Sequence, residues 1–386
     1  MPAGVVQHHD RPITASAREE FIADIAMPTI NTLYQLPTNG GLLPNDRFYF
    51  GAVLQFEGRV TNQGGANNPT GVQADGPFSL IDTVRVEGYH RLRQQRERFI
   101  DLRGPDLYEL TRIYYSNSPY TTHVRGGSTL TLTAGATNDI RFILDIPFVP
   151  LNVPIHQQVG YLLDAPNYDQ LQLTVQFADD RSIFTGGTAG TFSAFNSATG
   201  SPRIRVSGLF ALAGLQKFSG YQPARVWRYH QEVRSGDILT GNTNSRLFNN
   251  IPKGYRIRGG LLKTGTIAAG ALAATAGNSV YNTLSPSILQ NIKFMLGVNR
   301  PLRYYTDNFA LMMESQRTYA LAPTTGYGLI DFAQRGHLWE ALDTSGTIAG
   351  ASGDTDLFLQ TDVTGGANQA ALFLYEEIRG KPKRVG

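Results

Sequence analysis

The residues of this chain whose types and spacing could do chemistry fall into four groups. Glu376 and Glu377 are adjacent carboxylates, as are Asp179 and Asp180; His8, His9 and Asp10 carry metal-ligand atoms; Arg91, Arg93, Arg96 and Arg98 form the densest basic cluster. Neither carboxylate pair suits acid–base work, because neighbours on a strand point to opposite faces and cannot share a proton or flank one bond. A metal site needs three or four rigidly held ligands, which a terminal His-His-Asp does not supply. The remaining histidines, His90, His123, His156, His230 and His337, show no HxH spacing. There is no phosphate-cradling GxxxxGK[ST], no GxSxG elbow and no HExxH. With no cysteine, disulfides, thiolate zinc and a cysteine nucleophile are all excluded. The expectation is therefore no catalytic residue, no metal and no cofactor.

The arginines could neutralise nucleic-acid phosphates, which would make binding steeply salt-dependent. However, Glu87, Glu97, Asp101 and Asp106 are interspersed with them and no aromatic stacking platform alternates with them. Ion pairs between subunits are the better reading, and no specific nucleic acid is expected. The basic residues as a whole are 28 Arg against 6 Lys. Arginine makes planar, weakly hydrated, bidentate contacts of the kind that end up desolvated at interfaces.

The elements that must carry these residues are organised around a repeat. The stretch from Phe78 to Leu102 returns in degraded form from Ser285 to Met312. Leu80, Ile81, Val84, Arg85 and Val86 align with Ile288, Leu289, Ile292, Lys293 and Phe294, Gly88 with Gly297, and Phe99 with Phe309. So wide a spacing is a domain-sized duplication rather than a solenoid. Upstream of it, RFYFGAVLQFEGRV after Asp46 has the period of a strand, and GYRIRGGLLKTGT from Gly254 is its counterpart. Downstream, short helices are predicted at Gly104 and Met312; Ala134-GATNDIRFIL pairs with Ala349-GASGDTDLFL, and Gln170-LQLTVQF with Gln369-AALFLYEE.

At the amino end, Ser16 to Glu19 fits a capping box, and Phe21, Ile22 and Ile25 fall on one face of a short helix that Pro28 stops. Such an element, helix or strand, either packs on its own domain or lies as an amphipathic foot on a neighbour or a membrane, and Phe21, Ile22 and Ile25 are the candidate contacts. At the other end, Lys381, Lys383 and Arg384 form a basic tail that could do the same. The expected divisions are an arm and helix over 1–40, a first domain over 41–180, a Gly/Ser/Thr-rich linker over 181–203, a second domain over 204–380 and the tail over 381–386. With 41 glycines, 20 prolines, 17% charged residues and many Phe and Tyr, the chain suits short strands joined by turns. No signal-peptide core or apolar run of membrane-span length is present, so synthesis in a cytoplasm is expected.

Two all-β domains of roughly eight strands with long loops suggest two jelly rolls in tandem. With LIDTVRVEG and TAGATNDIRFIL at the corresponding places, the chain resembles the double jelly-roll major capsid proteins of tailless, tectivirus-like icosahedral phages with an internal membrane, a lineage that includes adenovirus hexon. That resemblance implies a virion shell protein forming a pseudo-hexameric homotrimer, then a lattice of trimers. It further implies minor capsid and vertex proteins as partners, and an amino-terminal helix facing the inner membrane. A tandem jelly-roll lectin or receptor-binding protein, and a metal-bearing bicupin, are the competing readings.

Overall fold

The computed structural model describes residues 17–26, 33–36, 43–65, 68–74, 76–114, 130–153, 158–178, 182–185, 191–211, 226–234, 241–248, 256–267, 281–297, 300–333, 338, 341–344, 357–366 and 369–379. The first half consists of β1 (Ala17–Ala26), β2 (Leu33–Leu36), β3 (Phe48–Thr61), β4 (Ile81–His90), β5 (Gln95–Leu102), α1 (Gly104–Tyr114), β6 (Thr137–Pro147), β7 (Tyr168–Phe177) and β8 (Arg203–Ala211). The second repeats it as β9 (Val226–Arg234), β10 (Ser245–Leu247), β11 (Arg256–Ile267), β12 (Leu289–Leu296), β13 (Arg300–Asp307), α2 (Asn308–Tyr319), β14 (Tyr327–Asp331), β15 (Leu357–Val363) and β16 (Gln369–Arg379).

Each half is a pair of antiparallel sheets. The first pair runs β1-β8-β3-β6 and β2-β7-β4-β5; the second runs β9-β16-β11-β14 and β10-β15-β12-β13. Every strand of the second half occupies the place of the strand eight earlier, so the duplication is one of topology: two eight-stranded jelly rolls. The short strands at Gly71–Val72, Leu163–Asp164, Phe184–Thr185, Thr191–Ser193, Tyr281–Leu284 and Leu342–Asp343 extend edges or tie loops.

Alternation explains the first half. In β6, Ile140, Phe142, Leu144 and Ile146 enter the core while Asp139 and Arg141 face out. The two helices follow equivalent strands. Asp307 caps α2 by accepting from the Ala310 amide at 2.8 Å. In α1 the Thr111 hydroxyl donates to the Leu107 carbonyl at 3.0 Å, and in α2 Ser315 donates to Leu311 at 2.8 Å; all four residues are buried, so the two helices align Thr111 with Ser315 and Leu107 with Leu311.

Five expectations are corrected. Ala17–Ala26 is a strand paired with β8, with a bulge between Phe21 and Ala23, because the edge of the β3 sheet offers it a full ladder. Arg203–Ala211 lies between β1 and β3, so the expected start of the second domain at 204 falls inside the first jelly roll, and within the Gly/Ser/Thr-rich stretch before it Thr191–Ser193 pairs with β3 of that roll. Likewise β1 and β2 belong to the first roll's sheets rather than to a separate arm. The repeat alignment holds over β4 and β12, then slips: Gly88 lies inside β4 whereas Gly297 follows β12. Phe99 is the bulged residue of β5, as Leu302 is of β13, while Phe309 lies in α2. The strand pairs matched through Ala134 with Ala349 and Gln170 with Gln369 occupy different sheet positions, since β6 corresponds to β14, β7 to β15 and β8 to β16.

Candidate functional site: the seam between the halves

In the β9-β16-β11-β14 sheet, strands β16, β11 and β14 are buried on both faces. In β11 Leu262 enters the second roll's own core while Leu261 joins the core cluster of the first half; in β16 Phe373 and Tyr375 go one way, Leu372 and Leu374 the other. A strand covered on both faces becomes a near-continuous buried run, as β11, β14 and β16 do. The cover on the second face is α1, β5 and the segment after β6. Three clusters of buried charge join the halves across this seam.

The first centres on Arg258, which is fully buried. A bulge between Ile257 and Gly259 leaves Arg258 unpaired against β16 and aims it into the seam. A Cβ at Gly259 would lie 1.9 Å from the Ile330 carbonyl oxygen, so the bulge requires glycine there. The guanidinium donates to the Leu151 carbonyl of the first half and stacks over the Tyr114 ring at 4.3 Å. Its Nε lies 3.7 Å from both Asp331 and Glu376. The Tyr114 hydroxyl donates to Glu376 at 2.7 Å, and Tyr319 donates to Asp331. Burial pushes the Glu376 carboxyl up to about 7, against the opposing pull of Arg258 and the Tyr114 hydrogen bond.

In the second cluster Lys263 and Asp106, both fully buried, meet at 3.1 Å, and the Tyr327 hydroxyl donates to Asp106 at 2.9 Å. One turn on, Glu109 is clamped by Arg112 at 2.6 Å and accepts from the Thr324 amide at 2.6 Å. In the third, Glu97 of β5 accepts from Arg228 of β9 at 2.9 Å, from Tyr168 at 2.9 Å and from Arg93 at 2.8 Å. Burial alone would raise the Glu97 pKa, but these partners and Gln95 hold it below the usual carboxylate range. Such arrangements hold two bodies in one register; they do not present a reactive group to solvent.

The residues singled out from the sequence lie elsewhere or meet partners of their own chain. Arg91 pairs with Asp169, Arg93 with Glu97, Arg96 with Glu87 at 3.3 Å and Arg98 with Asp101 at 2.7 Å. Of the expected membrane-facing residues, Phe21 is exposed, Ile22 half-buried and Ile25 buried in the core, the alternation of a strand rather than the stripe of a helix. Phe21 and Ile22 line a cleft of about 460 Å³ with Tyr49, Arg47 and Phe210. Lys381, Lys383 and Arg384 lie outside the described residues. Glu376 and Glu377 are both buried, Glu376 in the seam and Glu377 on the opposite face of β16, rather than an exposed pair. Trp227 is buried and meets Tyr161 and Tyr229 edge-on, so it presents no face to a sugar. Among the described residues there is no cluster of metal-ligating side chains and no helix long and apolar enough to cross a membrane.

Of the seam charges, Glu376, Arg93, Glu97 and Asp106 are visible in the sequence as carboxylates and arginines without their partners, while Arg228, Arg258 and Lys263 were missed, although Arg258 and Lys263 flank the apolar run of β11. A cation inside a run with no polar alternation is the available signal for a desolvated, paired charge.

No family model and no curated protein matches the chain. Solved structures do. The MCP of Sulfolobus turreted icosahedral virus superposes with a TM-score of 0.61 at 14% identity, covering 94% of this chain and 96% of that one. The major capsid protein P2 of bacteriophage PM2 gives 0.53 at 14% identity, over 96% and 100%. A quasi-atomic model of the PBCV-1 virus capsid gives 0.50 at 11% identity, over 94% and 93%. The chain has the double jelly-roll fold of these capsid proteins.

Proposed function

We propose that this protein is the major capsid protein of an icosahedral virus, a structural component of the virion shell that self-associates into a lattice. The observation that carries the reading is the end-to-end likeness, in which both jelly rolls and nearly all of each chain correspond to capsid proteins with little left over on either side. The physical logic supports it. A tandem duplication lets three chains present six similar edges, so a homotrimer makes a pseudo-hexagonal tile. The seam supports it too, because buried, paired charges hold two rolls in one fixed orientation. Minor capsid and vertex proteins, and an inner viral membrane, complete the partner set of such a shell. Arg91, Arg93, Arg96 and Arg98 lie at a surface that neighbouring subunits could share once their own-chain carboxylates are satisfied.

Sedimentation of the purified chain tests the reading. A species of three times the 42.3 kDa chain mass is expected, and a monomer that persists at micromolar concentration overturns it.

A further inference from the structure

The two halves are equivalent position by position, and the sheet face that is fully covered in the second roll is only partly covered in the first. Phe50 is the bulged residue of β3 as Arg258 is of β11, and each is followed by a glycine. The Phe50 carbonyl accepts from the Phe148 amide at 2.9 Å, as that of Arg258 accepts from Phe332 at 2.7 Å. Register then matches Gly259 with Gly51, Lys263 with Gln55, Asp331 with Pro147 and Glu376 with Leu209. The charged positions that receive α1 across the seam are thus Phe50, Gln55, Pro147 and Leu209 on the first roll's sheet.

The helices differ in the same sense. The hydroxyl register of Thr111 with Ser315 matches Asp106 with Ala310 and Glu109 with Met313. All of α1 except Arg112 is buried, whereas α2 leaves Phe309 55% and Met313 52% exposed, one turn apart on the same side. Within the chain a charged helix face meets a charged sheet face. What remains over is an apolar helix face and, at the equivalent place on the sheet, Phe50, Pro147 and Leu209 around Gln55, bordered by the ion pairs of Glu57 with Arg205 and Arg141.

We infer that the Phe309–Met313 face of α2 docks on the outer face of the β1-β8-β3-β6 sheet of a second copy of this chain, with Ala310 over Gln55 as Asp106 lies over Lys263. The contact is heterologous, since the donating and receiving surfaces differ, and such a contact closes into a ring when its rotation permits. It rests on the self-associating shell reading and names the surfaces that reading would use. It also accounts for the exposed Phe309 and Met313, large apolar side chains side by side on a helix that the chain itself leaves uncovered.

The test uses the full chain and four variants: Phe309→Asp with Met313→Asp together, Ala310→Asp, Gln55→Lys, and the last two combined. Each is checked for native circular dichroism and thermal transition, then sedimented. The expected result is that the Phe309/Met313 variant runs at the monomer mass. Ala310→Asp and Gln55→Lys should each raise the dissociation constant tenfold or more, and their combination should recover assembly by installing between copies the ion pair that Asp106 and Lys263 make within one. An unchanged oligomer in the Phe309/Met313 variant, or no recovery in the combination, overturns the docking surface while leaving the shell reading standing. A wild-type chain that does not self-associate overturns the shell reading itself.

Discussion

The β1-β8-β3-β6 and β9-β16-β11-β14 sheets share strand order, bulge position and register, yet one has a polar outer face and the other is buried twice. On the first, Glu57 pairs with Arg205 and Arg141, Arg59 with Asp139 and Arg203 with Asp24, all partly exposed. On the second, the equivalent face holds Arg258, Lys263 and Glu376 without exposure. The difference teaches that the duplicated backbone is held by its inner faces and was free to diverge on its outer ones. An exposed face spends its charges on pairs of small worth, whereas a covered face makes each charge depend on a named partner.

The sharpest way to break the comparison is at the bulge glycines. Gly259→Ala places Cβ 1.9 Å from the Ile330 oxygen and Gly51→Ala places it 2.7 Å from that of Ile146. Denaturant unfolding should show a loss beyond about 4 kcal/mol at 259, or no soluble protein, and about 1 to 3 kcal/mol at 51. Equal losses would deny the tighter packing of the seam sheet.

Next comes the buried pair. Lys263→Met leaves Asp106 charged and unpaired, at a cost of about 3 to 5 kcal/mol, and Asp106→Leu added to it should recover most of that. If the single and double variants unfold together, the pair does not hold the seam.

The pH dependence follows from Glu376, which faces Arg258, Asp331, Tyr114 and Tyr319. Its folded pKa of about 7 stands above the ordinary 4.5, so the native state binds the extra proton and stability falls as pH rises from 4.5 to 7. The drop is on the order of 3 kcal/mol, and Glu376→Gln should flatten that part of the curve. A wild-type curve already flat there would contradict it. Smallest is Arg96→Ala on the exposed edge: with the arginine side chain 68% exposed, a change under about 1 kcal/mol is expected.

Much of this was legible in the sequence where one face of a strand is wet. β3, β4 and β6 alternate visibly, and the helices expected at Gly104 and Met312 follow the repeated strands, the second beginning earlier, at Asn308. Legibility failed for three physical reasons. The ten residues of β1 place Phe21, Ile22 and Ile25 at spacings a helix would also use, and only the waiting edge of β8 decides for a strand. β16 is buried on both faces, so its run AALFLYEE lost the alternation that would have matched it to β8. Long loops inside a jelly roll share the composition of linkers, which hid the membership of Arg203–Ala211. The arginines between 91 and 98 were visible because they are exposed; Arg258, one residue in a covered strand, carries more of the architecture and stood out less.

The central claim is that the seam joining the halves within a chain recurs between chains in apolar form. A cryo-EM reconstruction of the purified oligomer tests it most directly. The account predicts six jelly rolls in a ring, with charged seams inside each chain alternating with seams where Phe309 and Met313 cover the Leu209 face of a neighbour. An oligomer in which α2 faces solvent, or a two-fold dimer that buries some other surface, would contradict it.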